Sequence, residues 1–261
     1  MFDEQRTRVS VGSAEFAGRS VIITGAGSGI GRASARAFAS AGASVLAVGR
    51  RAEKLAETAA DAGSIVPFVA DVRGEEAAEA VVGEAARLWG RVDVLVNNAG
   101  VFSSLPLAEV TAPALRDVVD TNVTAPSLLA AAALSSLREH RGTIVNVSST
   151  FGHRPAPGFS HYGASKAAIE HLTRSWAAEL AAHGIRVNAV APGPTESEAL
   201  VAAGLPEADI VEIKRAEAAR IPLGRRGDPA EVAQWIVHLA DPAASWVTGQ
   251  VIAIDGGLAV A

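Results

Sequence analysis

Short β-branched runs return at regular intervals along this chain, each followed by a segment rich in alanine. The runs are SVIIT (20–24), SVLAV (44–48), SIVPFVA (64–70), VDVLV (92–96), TIVNV (143–147), IRVNAV (185–190) and QVIAI (250–254). Between them stand stretches with helical spacing, such as RASARAFASAG (32–42) and EEAAEAVVGEAARLWG (75–90). Strands that read as continuous apolar runs are buried on both faces, as in a parallel sheet covered by helices. Seven such runs alternating with helices predict one doubly wound α/β domain instead of two. Residues 1–17 are expected to form a flexible arm and 18–261 the single domain. One connection breaks the rhythm. From Pro192 to Asp228 the chain is longer and more polar than in any other link, which predicts a substrate loop at about 193–227. It should hold short helices with a break near Gly204-Leu205-Pro206.

Composition removes several classes of function. The net charge of −5 comes with no Lys/Arg cluster, so no basic face is available for nucleic acid. Cysteine is absent, which excludes disulfides, thiolate catalysis and Cys-based metal sites. The six histidines include no HExxH spacing, so no metal is expected. The longest apolar run, LLAAAAL (128–134), is too short for a membrane span, and the polar N-terminus has no signal-peptide core. A cytoplasmic protein without membrane partners is the default expectation.

Two stretches carry chemistry. The first strand runs directly into TGAGSGIG (Thr24 to Gly31) and then into a helix. Glycines there let the backbone turn tightly and approach a pyrophosphate, which the helix N-terminus favours electrostatically. Their positions, 25, 29 and 31 with an extra one at 27, are not the commonest GxGxxG spacing. The second stretch is YGASK (162–166), heading an Ala-rich helical run and carrying the chain's single tyrosine one turn from a lysine. An isolated phenol titrates near pH ~10, and a lysine beside it would lower that value. On its own, such a pair more often means packing and solvation.

Taken with NNAG (97–100), Ser-Ser (148–149) and PG (192–193), these motifs resemble, in order, the short-chain dehydrogenase/reductase family. The resemblance runs from about residue 18 to the DGG at 255–257. It implies a Rossmann-type sheet of about seven parallel strands with helices on both faces, a nicotinamide dinucleotide, no metal, and a homotetramer or dimer. It also implies site residues. Tyr162 would be the acid/base and Lys166 its partner, Ser149 would orient the substrate, and Asn122 in DVVDTNV would hold a water in a proton relay. Hydride transfer makes or removes charge on the substrate oxygen, so a proton donor and a hydroxyl beside that oxygen make chemical sense.

For the dinucleotide, the resemblance implies Gly25, Ser28, Gly29, Ile30 and Gly31 at the phosphates, and Asn98, Ala99 and Gly100 along the cleft. Asp71 and Val72 would meet the adenine, although an N-cap for the next helix accounts for Asp71 almost as well. Pro192 and Gly193 would bend the chain over the nicotinamide, with Thr195 or Ser197 on the carboxamide; both hydroxyls could instead cap the next helix. Strand two ends in Gly49 where an acid would bind the NAD ribose, and Arg50-Arg51 follow. A guanidinium can fork onto a 2′-phosphate, which points to NADP(H), although Ser28 stands where a second basic residue is common.

The expected substrate is a small carbonyl or secondary alcohol. Phe151 and Phe159 in TFGHRPAPGFSH (150–161) offer apolar lining, and Arg154 with the loop histidines could read an acidic group. Two alternatives fit the same motifs. One is a 3-oxoacyl-acyl carrier protein reductase, which would need basic residues such as Arg154, Arg225 and Arg226 to dock its carrier. The other is a non-catalytic dinucleotide sensor, expected to have lost the tyrosine or the lysine that this chain retains.

Overall fold

The computed structural model describes residues 15–60, 62–197, 200 and 206–261. Seven strands form one sheet: β1 (Ser20–Thr24), β2 (Ser44–Gly49), β3 (Ile65–Val69), β4 (Val94–Asn97), β5 (Thr143–Val147), β6 (Arg186–Pro192) and β7 (Val251–Ile254). Their order is β3-β2-β1-β4-β5-β6-β7 and every pairing is parallel. The helices are α1 (Gly29–Ser40), α2 (Ala52–Ala59), α3 (Glu75–Trp89), α4 (Ala112–Val119), α5 (Ala125–His140), α6 (Ser160–Leu180), α7 (Glu207–Arg220) and α8 (Pro229–Ala240).

Side chains of a strand alternate between faces, and each face here has its own core. Val21 and Ile23 of β1 pack with Phe38 of α1 and Ile236 of α8, whereas Ile22 between them packs with Val81 of α3 and Leu129 of α5. This double burial is why β1, β4 and β5 are buried at every position and mostly apolar. The two edge strands depart from that expectation. β3 alternates, with Val69 56% exposed, and no residue of β7 is fully buried. A strand with one neighbour is covered less completely, and Pro67 is tolerated in β3 because an edge needs fewer ladder donors.

The folded body also begins before residue 18. Phe16 is fully buried, edge-on to Phe38 at 5.0 Å between centroids, and its N–H donates to the Ala41 carbonyl. Thus Phe16, within the segment expected to be an arm, belongs to the core; residues 1–14 lie outside the described ones. Within the expected substrate loop, α7 and the turn that follows are described, whereas the break expected at Gly204-Leu205 lies outside them.

The chain reverses its direction of winding between β1 and β4. Ligands of open α/β sheets bind at the carboxyl ends of strands beside such a switch point.

Candidate active site

The Gly-rich turn leaves β1 at this switch and feeds straight into α1. Its close approaches are set by glycine: a Cβ on Gly31 would lie 2.3 Å from the Gly25 carbonyl oxygen and 2.5 Å from Asn98 Nδ2. Gly29 itself has φ +50°, in the left-handed region. Ser28 occupies the N-cap position of α1, yet its hydroxyl makes no capping bond. The N–H groups of the first turn are therefore left for an anion in front of them. These features fit a dinucleotide pyrophosphate.

The NNAG turn at the end of β4 braces this loop. Asn98 Nδ2 donates to the carbonyls of Thr24 (2.8 Å) and Gly25 (3.3 Å), and the backbone N–H groups of Asn98 and Ala99 both donate to the Thr24 hydroxyl at 3.0 Å. Deeper in the sheet, Asn97 donates to Asn146, which donates to Thr173, both at 2.9 Å. The turn is thus architectural. Thr24, which sequence motif alone did not mark as a contact, is its anchor.

Gly100 brings two further residues together. A Cβ there would lie 3.3 Å from Asn122 Oδ1 and 3.4 Å from Lys166 Nζ. Asn122 sits in a single widened π-turn, Asp120–Thr124, between α4 and α5. Its Oδ1 accepts from the Val101 N–H (2.8 Å), and its Nδ2 donates to the Val101 carbonyl (3.1 Å) and the Ser165 hydroxyl (3.0 Å). The widened turn aims Asn122 at both the β4 exit and α6, and π-turns of this kind gather at functional sites.

Lys166 is buried, and its ammonium donates to the Val147 carbonyl at 2.9 Å, with Nζ 5.7 Å from the centroid of the Tyr162 ring. Burial pushes its pKa down to about 8. The Tyr162 phenol is moved the other way: burial raises its pKa, and the hydrogen bond with the Ser149 hydroxyl partly offsets that. The sequence expectation was a phenol lowered by its lysine. In this structure the charge that would do so donates to the Val147 carbonyl, and loss of hydration dominates at the phenol.

The two serines separate cleanly. Ser149 bonds to Tyr162 and accepts from the Phe151 N–H. Ser148 faces away and donates to the buried Glu170 carboxylate at 2.8 Å. Thr150, which the motifs did not mark, donates to the Pro192 carbonyl at 3.2 Å and so ties the β5 exit to the bend at Pro192-Gly193. Gly193 is held on its other side, its N–H bonded to the Ile254 carbonyl at 3.0 Å.

Thr195 and Ser197 also differ. The Thr195 hydroxyl donates to its own turn at the Gly193 carbonyl (2.9 Å), whereas Ser197 Cβ lies 3.3 Å from where a Cβ on Gly29 would stand. Ser197 is therefore the hydroxyl beside the Gly-rich loop.

The N-cap account of Asp71 is wrong, because the N-cap position of α3 is Gly74 and no side chain caps the helix. The Asp71 carboxylate is gripped by Arg73, which also pairs with Asp117 at 2.6 Å and holds the Asp71 carboxyl below its usual range. Val72 turns its side chain into the core under β2. Arg50 is exposed at the end of β2, close enough to Asp71 to act on its charge. Lys54 of α2 backs the loop, its Cβ 3.2 Å from where one on Gly27 would stand.

The basic residues considered for carrier docking are already engaged. Arg154 donates to the Leu258 carbonyl, Arg225 pairs with Glu231 at 2.6 Å, and the largely buried Arg226 guanidinium holds Glu196 at 2.8 Å together with Glu217. His153 faces Glu170 at 3.2 Å. Among the described residues, no helix is long and apolar enough to cross a membrane.

Comparison with known proteins shows the family. A family model described as Enoyl-(Acyl carrier protein) reductase matches residues 25–259. The chain is 40% identical over 248 residues to the 3-oxoacyl-acyl-carrier-protein reductase FabG of Thermotoga maritima, covering 93% of this chain and 98% of that one. It is 42% identical over 247 residues to a cis-4-hydroxycyclohexanecarboxylate dehydrogenase of Sinomonas cyclohexanicum, covering 93% and 97%. A solved short-chain dehydrogenase/reductase of unknown function from Caenorhabditis elegans, determined with cofactor, superposes with a TM-score of 0.88 at 34% identity, covering 94% of this chain and 97% of that one. The chain belongs to the short-chain dehydrogenase/reductase family, oxidoreductases that interconvert alcohols and carbonyls with a nicotinamide dinucleotide.

Proposed function

We propose that the protein is an NADP(H)-dependent reductase of a small carbonyl compound, running in reverse as a secondary-alcohol dehydrogenase, with Tyr162 as its acid/base. The observation that carries this reading is the approach of Asn122 and Lys166 to Gly100, with the Tyr162 ring beside Lys166 and Ser149 bonded to Tyr162, together with a tight glycine loop that fits a pyrophosphate. The bound nicotinamide supplies the hydride, the difficult redox step.

The chain's own residues handle the proton. Burial keeps the Tyr162 phenol protonated at neutral pH, which is the form that can donate to a carbonyl oxygen. The Ser149 hydroxyl shares that oxygen with the phenol and stabilises the charge it gains. Lys166, mostly cationic below about pH 8, stabilises the phenolate left behind. An ammonium has three donors, so the bond to Val147 leaves others for a ribose hydroxyl or a water. Asn122 anchors the water chain that returns the proton.

Cofactor choice rests on charge. Arg50 is exposed at the end of β2, where its guanidinium is available to a 2′-phosphate, and the Asp71 carboxylate near it is held by Arg73; Lys54, behind the loop, is paired with Glu57 at 3.2 Å. Self-association into a dimer or tetramer is supported by the incompletely covered β7 and by Trp235, 42% exposed on α8.

A second reading, reduction of a 3-oxoacyl thioester on an acyl carrier, is favoured by the 40% identity to FabG. Against it, the candidate docking arginines are paired within the chain. Initial rates on a panel of ketones, aldehydes, oxoesters and a 3-oxoacyl thioester, with NADPH and with NADH, test both readings. Turnover of free ketones with NADPH in preference to NADH is the expected result. A rate only on the carrier-bound thioester would replace the first reading with the second. Dinucleotide binding with no turnover of any compound would overturn both.

A further inference from the structure

Tyr162 is flanked by three phenylalanines drawn from separate parts of the chain. Phe102 follows the NNAG turn, Phe151 stands two residues after Ser149, and Phe159 directly precedes α6. Phe159 is the middle ring of a stack: its centroid lies 5.1 Å from Phe102 and 5.0 Å from Phe151, with interplanar angles of 26° and 12°. The Tyr162 ring meets both outer rings edge-on, at 5.1 Å from Phe102 and 6.0 Å from Phe151. All four rings are half-buried, so each keeps accessible surface.

The wall is also fixed in place. The Leu105 N–H donates to the Gly158 carbonyl at 2.7 Å, joining the loop that carries Phe102 to the one that carries Phe159. The Phe151 N–H donates to the same Ser149 hydroxyl that bonds Tyr162. The polar side chains of the 153–154 turn are taken up within the chain, His153 by Glu170 and Arg154 by the Leu258 carbonyl. What this side of the site offers a substrate is therefore ring surface.

Resting on the reading of Tyr162 as proton donor, we propose that the physiological substrate carries a planar or cyclic apolar group on its carbonyl carbon, seated against Phe102, Phe151 and Phe159. A rigid ring gains stacking or edge contact with such a wall. A linear chain of the same size must freeze several rotors to cover it. A polyol leaves hydroxyls facing ring carbons without partners.

The test uses three methyl ketones of equal carbon number: acetophenone, cyclohexyl methyl ketone and 2-octanone. The expected result is a kcat/KM about tenfold or more higher for both cyclic ketones than for 2-octanone. In Phe159→Leu, and separately in Phe102→Leu should the first not fold, that ratio collapses toward one. Equal rates or a preference for 2-octanone in the wild type overturn the proposal, as does a ratio that survives both substitutions. Calorimetric binding of 1-phenylethanol and 2-octanol to the protein loaded with NADP+ gives a readout independent of turnover. If no ketone is reduced, the functional reading fails, while tighter binding of 1-phenylethanol that is lost in the variants still upholds this proposal. Equal binding of the two alcohols, or none, overturns it.

Discussion

Replacing Lys166 with methionine should make the protein more stable while removing its activity, and the gain should shrink as pH rises. The ammonium is buried, and that burial lowers its pKa from 10.5 to about 8. The folded chain therefore releases this proton before the unfolded chain does, so between those two values the unfolded state binds more protons and stability climbs with pH. The burden is fully present below about pH 8 and has nearly vanished at the unfolded value. A shift of this size corresponds to about 3 kcal/mol of destabilisation near neutral pH, falling to roughly 2 kcal/mol near pH ~9. Methionine has similar volume and no charge. It also loses the bond to the Val147 carbonyl, which offsets the gain by about 1–3 kcal/mol, but that offset does not change with pH. The informative quantity is thus the slope. Urea unfolding of both proteins at several values between about pH 7 and pH 9.5 should show the stability difference moving toward the wild type by about 1–2 kcal/mol. Parallel curves would refute a buried ammonium at this position.

Further outcomes follow from the cofactor cleft. Gly31→Ala should abolish dinucleotide binding measured by fluorescence or calorimetry, because the added methyl would lie 2.3 Å from the Gly25 carbonyl; unchanged binding would show that the loop is not the pyrophosphate site. Arg50→Asp should weaken NADPH by about tenfold to a hundredfold with little effect on NADH, and equal effects would make this arginine a bystander.

Much of the fold was legible because its signal is local. The central strands carry unbroken apolar stretches, since helices cover both faces, and such runs stand out in one dimension. The edges were less legible: β3 and β7 have one neighbour each, and all but one of their residues keep some exposure. Phe16 could not be assigned to the core from its polar surroundings, because its partner Phe38 lies across the β1–α1 unit. Within the site, the motifs mark the groups proposed to meet cofactor or substrate, but they carry no signal for the braces behind them. Thr24, Thr150 and Glu170 act through partners 22 to 75 residues away. The choice between Ser148 and Ser149 came from distance to the tyrosine along the chain, and the opposite directions of the two hydroxyls agree with it. Phe102 was missed although it stands two residues beyond NNAG, where an aromatic next to a cleft motif is a usable cue. The direction of the Tyr162 shift was misjudged because spacing reveals a neighbouring charge but not the hydration lost around both groups.

Turnover by this protein is expected to depend most on the phenol of Tyr162 as the proton donor. NADPH oxidation with the best ketone of the panel, compared between wild type and Tyr162→Phe, addresses it directly, with dinucleotide affinity measured on both. The expected result is a kcat lower by about 10²–10⁴-fold with binding of NADPH unchanged within a few fold. Retention of most of the wild-type kcat by the phenylalanine variant would contradict it.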